Sequence, residues 1–342
     1  MRSGNGLRRP GWTWNIESRE GADRLPHESP VTHPNRTGHE EEIEMPAMGA
    51  VTNGGSVENL ALRPGSPEDA EDCGRIIYLA FKSVATQHNF QPDFPSVESA
   101  TALASTLLSH AHFYAVVAEL DETIVGSNFL DERSVVAGIG PITVDPLVMN
   151  RSIGRQLMLN VMDRASRQRF AGIRLVQIAY HYRSLSLYTK LGFETREPLS
   201  AMFGRTLNIA IPEYPVRAAN VDDVDVCNRL CRAIHGHDRD GELRDAIARG
   251  AAKLVEHLGD ITGYSTGIGW GNHAVAQTNK ELQALIGASP AFHAPGFLVP
   301  TRNGDLLRWC LEKGLQITTQ ATLMTIGLYN EPMGRYLPSI LY

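Results

Sequence analysis

The chain has 342 residues, more than one compact domain usually contains, so its length predicts two domains. Its hydrophobic fraction of 42% is ordinary for a globular protein, and its net charge of −6 argues against nucleic-acid binding, which needs a basic surface. No apolar run has the length of a membrane-spanning helix. The N-terminal arginines are not followed by the apolar segment of a secretory signal peptide. The four scattered cysteines do not form a disulfide framework, so we expect a cytoplasmic, reducing setting.

Residues 1–56 are rich in Gly, Pro, Asn, Arg and Glu and show neither a helical nor a strand period. A segment of this composition buries too little apolar surface to fold alone, so we expect a disordered N-terminal tail. The ordered part of the chain is predicted to begin at about residue 57.

From residue 60 onward the sequence alternates between strand and helix patterns. Ser66-Pro67-Glu68-Asp69 is typical of a helix start, with a serine cap, a proline at the first helical position and acids in the first turn. Apolar residues at helical spacing follow it. The later elements predicted in this half are helix 97–108, strands 113–120, 124–130 and 139–145, helix 153–167, strand 174–180, helix 184–191, and strands 193–196 and 200–207.

The second half of the chain repeats the pattern of the first. Four residues of the first helix region recur at an offset of 154, as Arg63/Arg217, Ser66/Asn220, Cys73/Cys227 and Arg75/Arg229. Further on, residues 190–193 are echoed by residues 312–315 at an offset of 122. Two consistent offsets indicate an internal duplication, with halves at 57–210 and 211–342 and a deletion in the second copy between the repeated segments.

The segment from Ile142 to Met158 is predicted to be a strand end, a tight loop and a helix start. Backbone N–H groups at a helix N-terminus, together with the helix dipole, form a site for phosphate groups. A small residue such as Gly154 lets phosphate oxygens approach these amides, and Ser152 is interpreted as a helix cap within the same loop. Downstream, residues 184–193 are predicted to be a short helix, ended by Gly192, that runs into a strand.

Together these segments resemble the GNAT superfamily of acetyltransferases. The matching pieces are the strand ending in Thr143-Val144-Asp145-Pro146, the loop from Met149 to Gly154, and the segment Leu187-Tyr188-Thr189-Lys190-Leu191-Gly192-Phe193. This loop usually reads Arg/Gln-x-x-Gly-x-Gly/Ala in the superfamily, and here it has Met149 and Ser152 at two of those positions. His181 stands where asparagine is usual. The resemblance implies an α/β (α+β) fold with a mixed, mostly antiparallel sheet and flanking helices, present twice, the second time in degenerate form.

The resemblance also implies an acetyl-CoA-dependent N-acetyltransferase that acts on an amine of a small molecule or peptide, with no metal. The Val144 N–H would stabilise the thioester oxyanion, and Tyr188 would protonate the departing thiolate. Neither nucleic acid nor a membrane is expected as a partner, and the oligomeric state, monomer or homodimer, is left open. The residues implied to contact acetyl-CoA are Ile142, Thr143, Val144, Met149, Asn150, Arg151, Ser152, Ile153, Gly154, Arg155, His181 and Ser184.

Two other interpretations remain open: a catalytically inactive CoA-binding regulatory module, and an interaction scaffold built from two decayed copies. Tyr188 has an alternative role as a packed helix residue. Asp131, Glu132 and Asp145 are candidate bases at strand ends, and each is also interpretable as a solvated turn carboxylate. The second half is expected to bind no CoA and to pack against the acceptor side of the first.

Overall fold

The computed structural model describes residues 59–149 and 151–341 of the chain. The predicted disordered tail lies outside the described residues, as do Asn150 and Tyr342. The elements of the first half are β1 Leu60–Pro64, α1 Ala70–Gln87, α2 Val97–Ser109, β2 Phe113–Leu120, β3 Thr123–Asp131, β4 Val136–Ile139, β5 Thr143–Val144, α3 Ile153–Arg167, β6 Gly172–Ile178, α4 Tyr182–Lys190 and β7 Glu194–Phe203.

The second half follows nearly the same order of elements, ending in a short extra strand. They are β8 Val216–Ala218, α5 Val224–His235, α6 Asp240–Ala248, β9 Lys253–His257, β10 Asp260–Ser265, β11 Ala274–Ala276, α7 Asn279–Gly287, β12 Phe297–Pro300, α8 Gly304–Glu312, β13 Gln316–Gly327 and β14 Arg335–Leu337. Helices α5 and α6 thus correspond to α1 and α2, and α7 and α8 correspond to α3 and α4.

The first helix of each half begins with the same ion pair, which agrees with the predicted duplication. Arg63 forms an ion pair with Asp69 at 2.8 Å in the first half, and Arg217 forms one with Asp223 at 2.8 Å in the second. Each aspartate also accepts a hydrogen bond from the backbone N–H three residues earlier, at 2.8 Å and 2.9 Å. The repeated sequence pattern therefore encodes a repeated three-dimensional helix start.

The sheets are mixed and mostly antiparallel, as predicted. One has nine strands in the order β1-β2-β3-β4-β6-β13-β7-β12, with β5 paired to β3, and the other has the order β14-β11-β10-β9-β8. Among the described residues only the β4–β6 pair is parallel. Helices α3 and α4 cover one face of the first half of the large sheet, whereas α1 and α2 pack on the other face.

The two halves exchange strands in the large sheet. Strand β13 of the second half pairs with β6 over Ala321–Gly327 and with β7 over Gln316–Thr325. Strand β7 of the first half in turn pairs with β12 of the second. The sequence division at residues 210 and 211 stays a prediction about the chain, but the described residues all belong to one compact unit.

Two predicted strands differ from the observed ones. The predicted strand 139–145 is two short strands, β4 and β5, because Gly140 has a φ of 138° and Pro141 has no N–H to donate to a neighbouring strand. The predicted strands 193–196 and 200–207 are one strand, β7, which runs through Pro198. A residue in a strand directs its N–H and its carbonyl to the same side, and the Pro198 carbonyl faces β12. That strand ends at Pro300, opposite Leu199, so proline is tolerated at position 198 although it has no N–H.

We predict that residues 57–211 alone will not form a cooperatively folded domain, because removing β13 leaves β6 and β7 without their shared partner. The measurement is thermal unfolding by circular dichroism. Coexpression with residues 212–342 is the control and is expected to restore a cooperative transition. A sharp transition for the isolated fragment, at the temperature of the whole chain, would contradict the prediction.

Candidate active site

A gap opens in the large sheet between β5 and β6. Strands β4 and β6 pair only over Val136–Gly138 and Gly172–Arg174. Beyond that point β5 pairs with β3, whereas β6 continues along β13 to Ile178. The two strands therefore diverge, and the edge of β6 that faces β5 is left without a strand partner.

The backbone of β5 presents Val144 to this gap. The N–H of Asp145 donates to the Val125 carbonyl of β3 at 2.8 Å. Because backbone groups alternate along a strand, the Val144 N–H points the opposite way, toward β6. Thr143 is buried, with its hydroxyl 3.4 Å from that of Ser127, and Ile142 is half-buried against the core. Val144 thus has the orientation that its predicted role requires.

Helix α3 begins immediately beside the gap, and the residue before it does not cap its first backbone N–H groups. Ser152 is that residue, and its side chain makes no capping hydrogen bond. Its φ of 61° lies in the left-handed region, where glycine is the favoured residue. Ile153 is buried, whereas Gly154 leaves the first turn open, because a Cβ there would meet only the Val144 side chain at 3.7 Å. A helix start of this kind is an anion site.

Three arginines surround this helix start. Arg151 is exposed, Arg155 is half-buried in the first turn of α3, and both were predicted contacts. Arg183 of α4 was missed by the sequence reasoning, and its Nη1 lies 3.9 Å from the Met149 sulfur of the loop. Three cationic side chains thus lie in or beside the loop, and their charge favours an anionic ligand such as a diphosphate. Arg183 could have been predicted from its position, because it lies in the first turn of the second helix of the site, α4.

The predicted acid Tyr188 is buried in α4 and packs edge-on against Phe193, with ring centroids 6.2 Å apart. Burial raises the pKa of Tyr188 to about 12, and the nearby Ser184 side chain opposes the rise only in part. The Ser184 Oγ lies 2.8 Å from Nδ1 of His181. Burial lowers the pKa of His181, with smaller contributions from nearby cationic groups. Tyr188 therefore keeps its proton at neutral pH, and His181 is largely uncharged.

The three carboxylates considered as bases are all held by other protein groups. Asp131 pairs with Arg133 at 2.6 Å, and Glu132 pairs with Arg164 at 2.8 Å. Asp145 accepts a hydrogen bond from the Leu147 N–H at 2.9 Å, at the start of a short turn. Asp131 and Asp145 are buried rather than solvated, so the turn interpretation is wrong for them, and each of the three carboxylates has a structural partner.

A cavity of about 370 Å³ adjoins the end of β6. Phe90, from the loop between α1 and α2, stacks on Tyr180 with ring centroids 4.1 Å apart. The remaining wall comes partly from β13 of the second half, over residues 317–320. These residues were not predicted as site residues, because three distant segments of the chain meet here only in the folded protein.

The second half lacks both features of the site. Only Gln277 and Thr278 connect β11 to α7, and Thr278 caps that helix by accepting from the Lys280 N–H at 3.1 Å, with Glu281 completing the capping box. Strand β14 pairs with β11 and lies against β12, in the place that corresponds to the gap of the first half. In the described part of the second half, the strands that correspond to β5 and β6 thus leave no open gap, and α7, which corresponds to α3, has a capped start.

The C-terminal segment then crosses to the first half. The Ile340 N–H donates to the Trp270 carbonyl at 2.7 Å. The Leu341 carbonyl lies where a Cβ on Gly138 of β4 would be, at 2.0 Å from the ideal position. The end of the described chain therefore packs on β4, close to the point where β4 and β6 separate.

Among the described residues, no group of three or more His, Cys, Asp or Glu side chains is arranged to hold a metal ion. The four cysteines are free thiols, and all are buried. Over the same residues, none of the helices has the length and apolar character needed to cross a bilayer.

Residues 83–193 match the family model described as the acetyltransferase (GNAT) family. A protein assigned as an acetyltransferase, from Pyrococcus horikoshii, superposes with a TM-score of 0.64 at 18% identity, over 84% of this chain and 98% of that one. A GCN5-related N-acetyltransferase from Sphaerobacter thermophilus superposes with a TM-score of 0.53 at 14% identity, over 80% and 98% of the two chains. No curated protein gives a significant sequence match.

The fold is that of two-module acetyltransferases, with one open sheet gap and one uncapped helix start in the first half. Residues 83–193 form a GNAT acetyltransferase domain by the family model, and the second half has a GNAT-like fold. The resemblance expected from the sequence is confirmed.

We predict that Gly138→Ala lowers the free energy of unfolding by about 1–3 kcal/mol, the usual cost of overpacking, because the added methyl group meets the Leu341 carbonyl. Chemical denaturation without ligand provides the measurement. Gly154→Ala is the matched control, since its methyl group has ordinary contacts. Equal stability of both variants would show that the C-terminal segment does not pack on β4.

Proposed function

We propose that the chain is an acetyl-CoA-dependent N-acetyltransferase that modifies an amine of a small molecule or peptide. One observation carries the proposal: the sheet gap and the uncapped start of α3 lie side by side in the first half. A sheet gap has room for an extended thioester arm, and the N–H groups at a helix start bind a diphosphate. Acetyl-CoA has both groups in one molecule.

In the proposed complex the diphosphate contacts the amides of Ile153, Gly154 and Arg155, with Arg151 and Arg183 supplying positive charge. The Val144 N–H donates to the thioester carbonyl, where negative charge develops during attack by the amine. Tyr188 donates its proton to the CoA sulfur as the C–S bond breaks. Met149 and Asn150 complete the loop, although Asn150 lies outside the described residues.

The departures from the usual loop sequence do not argue against this function. Ser152 replaces a glycine but adopts the left-handed conformation that a glycine at this position allows. The cost of that conformation for a side-chain-bearing residue is about 1–2 kcal/mol, which the rest of the fold offsets. The left-handed conformation of Ser152 and the open first turn at Gly154 support an enzyme over a decayed module.

We propose further that the second half binds no CoA, since Thr278 caps α7 and β14 lies beside β11. The acceptor amine enters through the cavity at Phe90 and Tyr180. The cytoplasmic location and the oligomeric state stay predictions.

We predict that Gly154→Glu abolishes acetyl-CoA binding, because a carboxylate then occupies the space where the diphosphate approaches the amides. Isothermal titration calorimetry measures this, and wild type is expected to bind one acetyl-CoA per chain. Gly154→Ala tests the size of the side chain without its charge and is expected to retain binding. Unchanged affinity in Gly154→Glu, or two sites per wild-type chain, would contradict the assignment.

We predict that Tyr188→Phe lowers kcat by about 10²–10⁴, the range for loss of a general acid, with little change in KM for acetyl-CoA. Release of free thiol is followed with tyramine, spermidine and an alanine-terminated peptide as acceptors. A variant within twofold of wild type would make Tyr188 a packing residue. Binding of acetyl-CoA without transfer to any amine would instead favour the regulatory-module alternative.

A further inference from the structure

Both halves of the chain build the wall of the cavity at the end of β6. Strand β6 ends first and β13 continues past it, with the Ala179 N–H donating to the Gln320 carbonyl at 2.9 Å. Residues 317–320 of β13 therefore lie beyond the last pairing of the two strands and line the cavity. The register of β13 against β7 shifts between Ile317 and Thr319. Such a bulge bends a strand and redirects its side chains, and bulges are common beside active sites.

Large apolar side chains are exposed around this cavity. Phe90 is 38% exposed, Ile317 is 43% exposed and Tyr182 is 70% exposed, and all three line it. They come from the loop between α1 and α2, from β13 and from the first turn of α4, respectively. Exposed apolar surface is unfavourable in water, so its concentration around one cavity indicates a binding site.

Aromatic rings form much of the wall. Phe90 stacks on Tyr180 with the two ring planes only 10° apart, and Tyr182 adds a third ring to the lining. The faces of aromatic rings are partly negative and their edges partly positive, so rings attract a further ring in an offset or edge-on arrangement. An aromatic group of a ligand therefore gains more here than an aliphatic group of the same size.

The wall of the cavity is also free of charged side chains. Among the described residues that line it, none is Asp, Glu, Lys, Arg or His. Its polar side chains already bond to the protein, since Thr318 donates to the Pro295 carbonyl at 3.1 Å and Gln320 to Ser200 Oγ at 3.4 Å. Asp93, the carboxylate of the loop that carries Phe90, is not among the lining residues. A polyamine would bring additional ammonium groups, which are costly to remove from water without a carboxylate partner.

We propose that this cavity binds the aromatic ring of the acceptor, and that the acceptor is a small arylalkyl amine with one amino group. The proposal rests on the proposed function and names the substrate class of the same site. The volume of about 370 Å³ lies within the usual range for small-molecule pockets. The amine nitrogen attacks the thioester carbon, the C–N bond forms as the C–S bond breaks, and the amine proton leaves on the CoA thiol. Ile317 of the second half is then a specificity residue for transfer in the first.

The first test compares acceptors on the wild-type protein by release of free thiol. Phenethylamine and cyclohexylethylamine carry the same amino group on the same linker and differ in whether the ring is aromatic. We expect kcat/KM to be higher for phenethylamine by about 2- to 10-fold, the range for one aromatic contact, and higher still relative to spermidine. Equal or better use of cyclohexylethylamine, spermidine or an alanine-terminated peptide would overturn the aromatic acceptor and leave the proposed transferase intact.

The second test places a carboxylate in the wall. In Ile317→Glu the ratio of kcat/KM for phenethylamine to that for spermidine is expected to fall by about tenfold or more, because the carboxylate attracts a second ammonium group and apolar contact is lost. Leu311→Glu is the matched control, since Leu311 is 47% exposed on α8, lies outside the cavity and gains the same charge. Its ratio is expected to equal that of wild type. An equal ratio in Ile317→Glu would overturn the proposal, and a changed oligomeric mass with that equal ratio would make the exposed side chains a contact between chains.

A third variant removes a ring without adding charge. Phe90→Leu keeps an apolar wall and is expected to reduce the preference for phenethylamine over cyclohexylethylamine. Persistence of the full preference in this variant would overturn its origin in the Phe90–Tyr180 stack. Calorimetric titration of phenethylamine into the wild type separates the two proposals. Binding of phenethylamine without acetyl transfer to any amine would overturn the proposed function alone, whereas transfer to other amines without phenethylamine binding would overturn only the aromatic acceptor.

Discussion

The position of β13 between β6 and β7 is the constraint on which the rest of the structure depends. Its residues pair along both neighbours, and Leu323 and Met324 are buried on opposite faces of the sheet. Each backbone hydrogen bond contributes only about 1 kcal/mol net, so the two ladders stabilise β13 together with the burial of its side chains. Because β13 holds one side of β6, the other side is free to diverge from β5. The gap in the first half is therefore supported by a strand of the second.

The need of backbone groups for hydrogen-bond partners also distinguishes the two halves. Each α-helix begins with N–H groups that have no partner within the helix, and these must be satisfied by a side chain, by water or by a ligand. In α7 the side chains of Thr278 and Glu281 supply the cap. In α3 the side chain of Ser152 does not, and the helix start faces an open gap. One capping side chain and a shortened loop thus separate a closed helix start in the second half from an open one in the first.

The sequence predicted local structure well where short-range signals exist. The bounds of α3, Ile153–Arg167, agree with the prediction because apolar spacing and the preceding loop define both ends. The Gly140-Pro141 dipeptide was a visible signal for a strand break that the prediction overlooked. The strand exchange left no such signal, because pairing between β6 and β13 joins segments about 150 residues apart. The stacking of Phe90 on Tyr180 was hidden for the same reason, since their contact depends on the folded loop between α1 and α2.

The closure of the second half also explains how a copy without a ligand site contributes to the whole. Strand β14 fills its gap, and Tyr336 in that strand donates to the buried Glu197 of β7 at 3.2 Å. Glu197 is also paired with Arg302 at 2.7 Å, so a charge inside the shared sheet is neutralised from the second half. A buried carboxylate without these partners would destabilise β7 by several kcal/mol. The strand that closes the gap of the second half therefore also stabilises the sheet of the first.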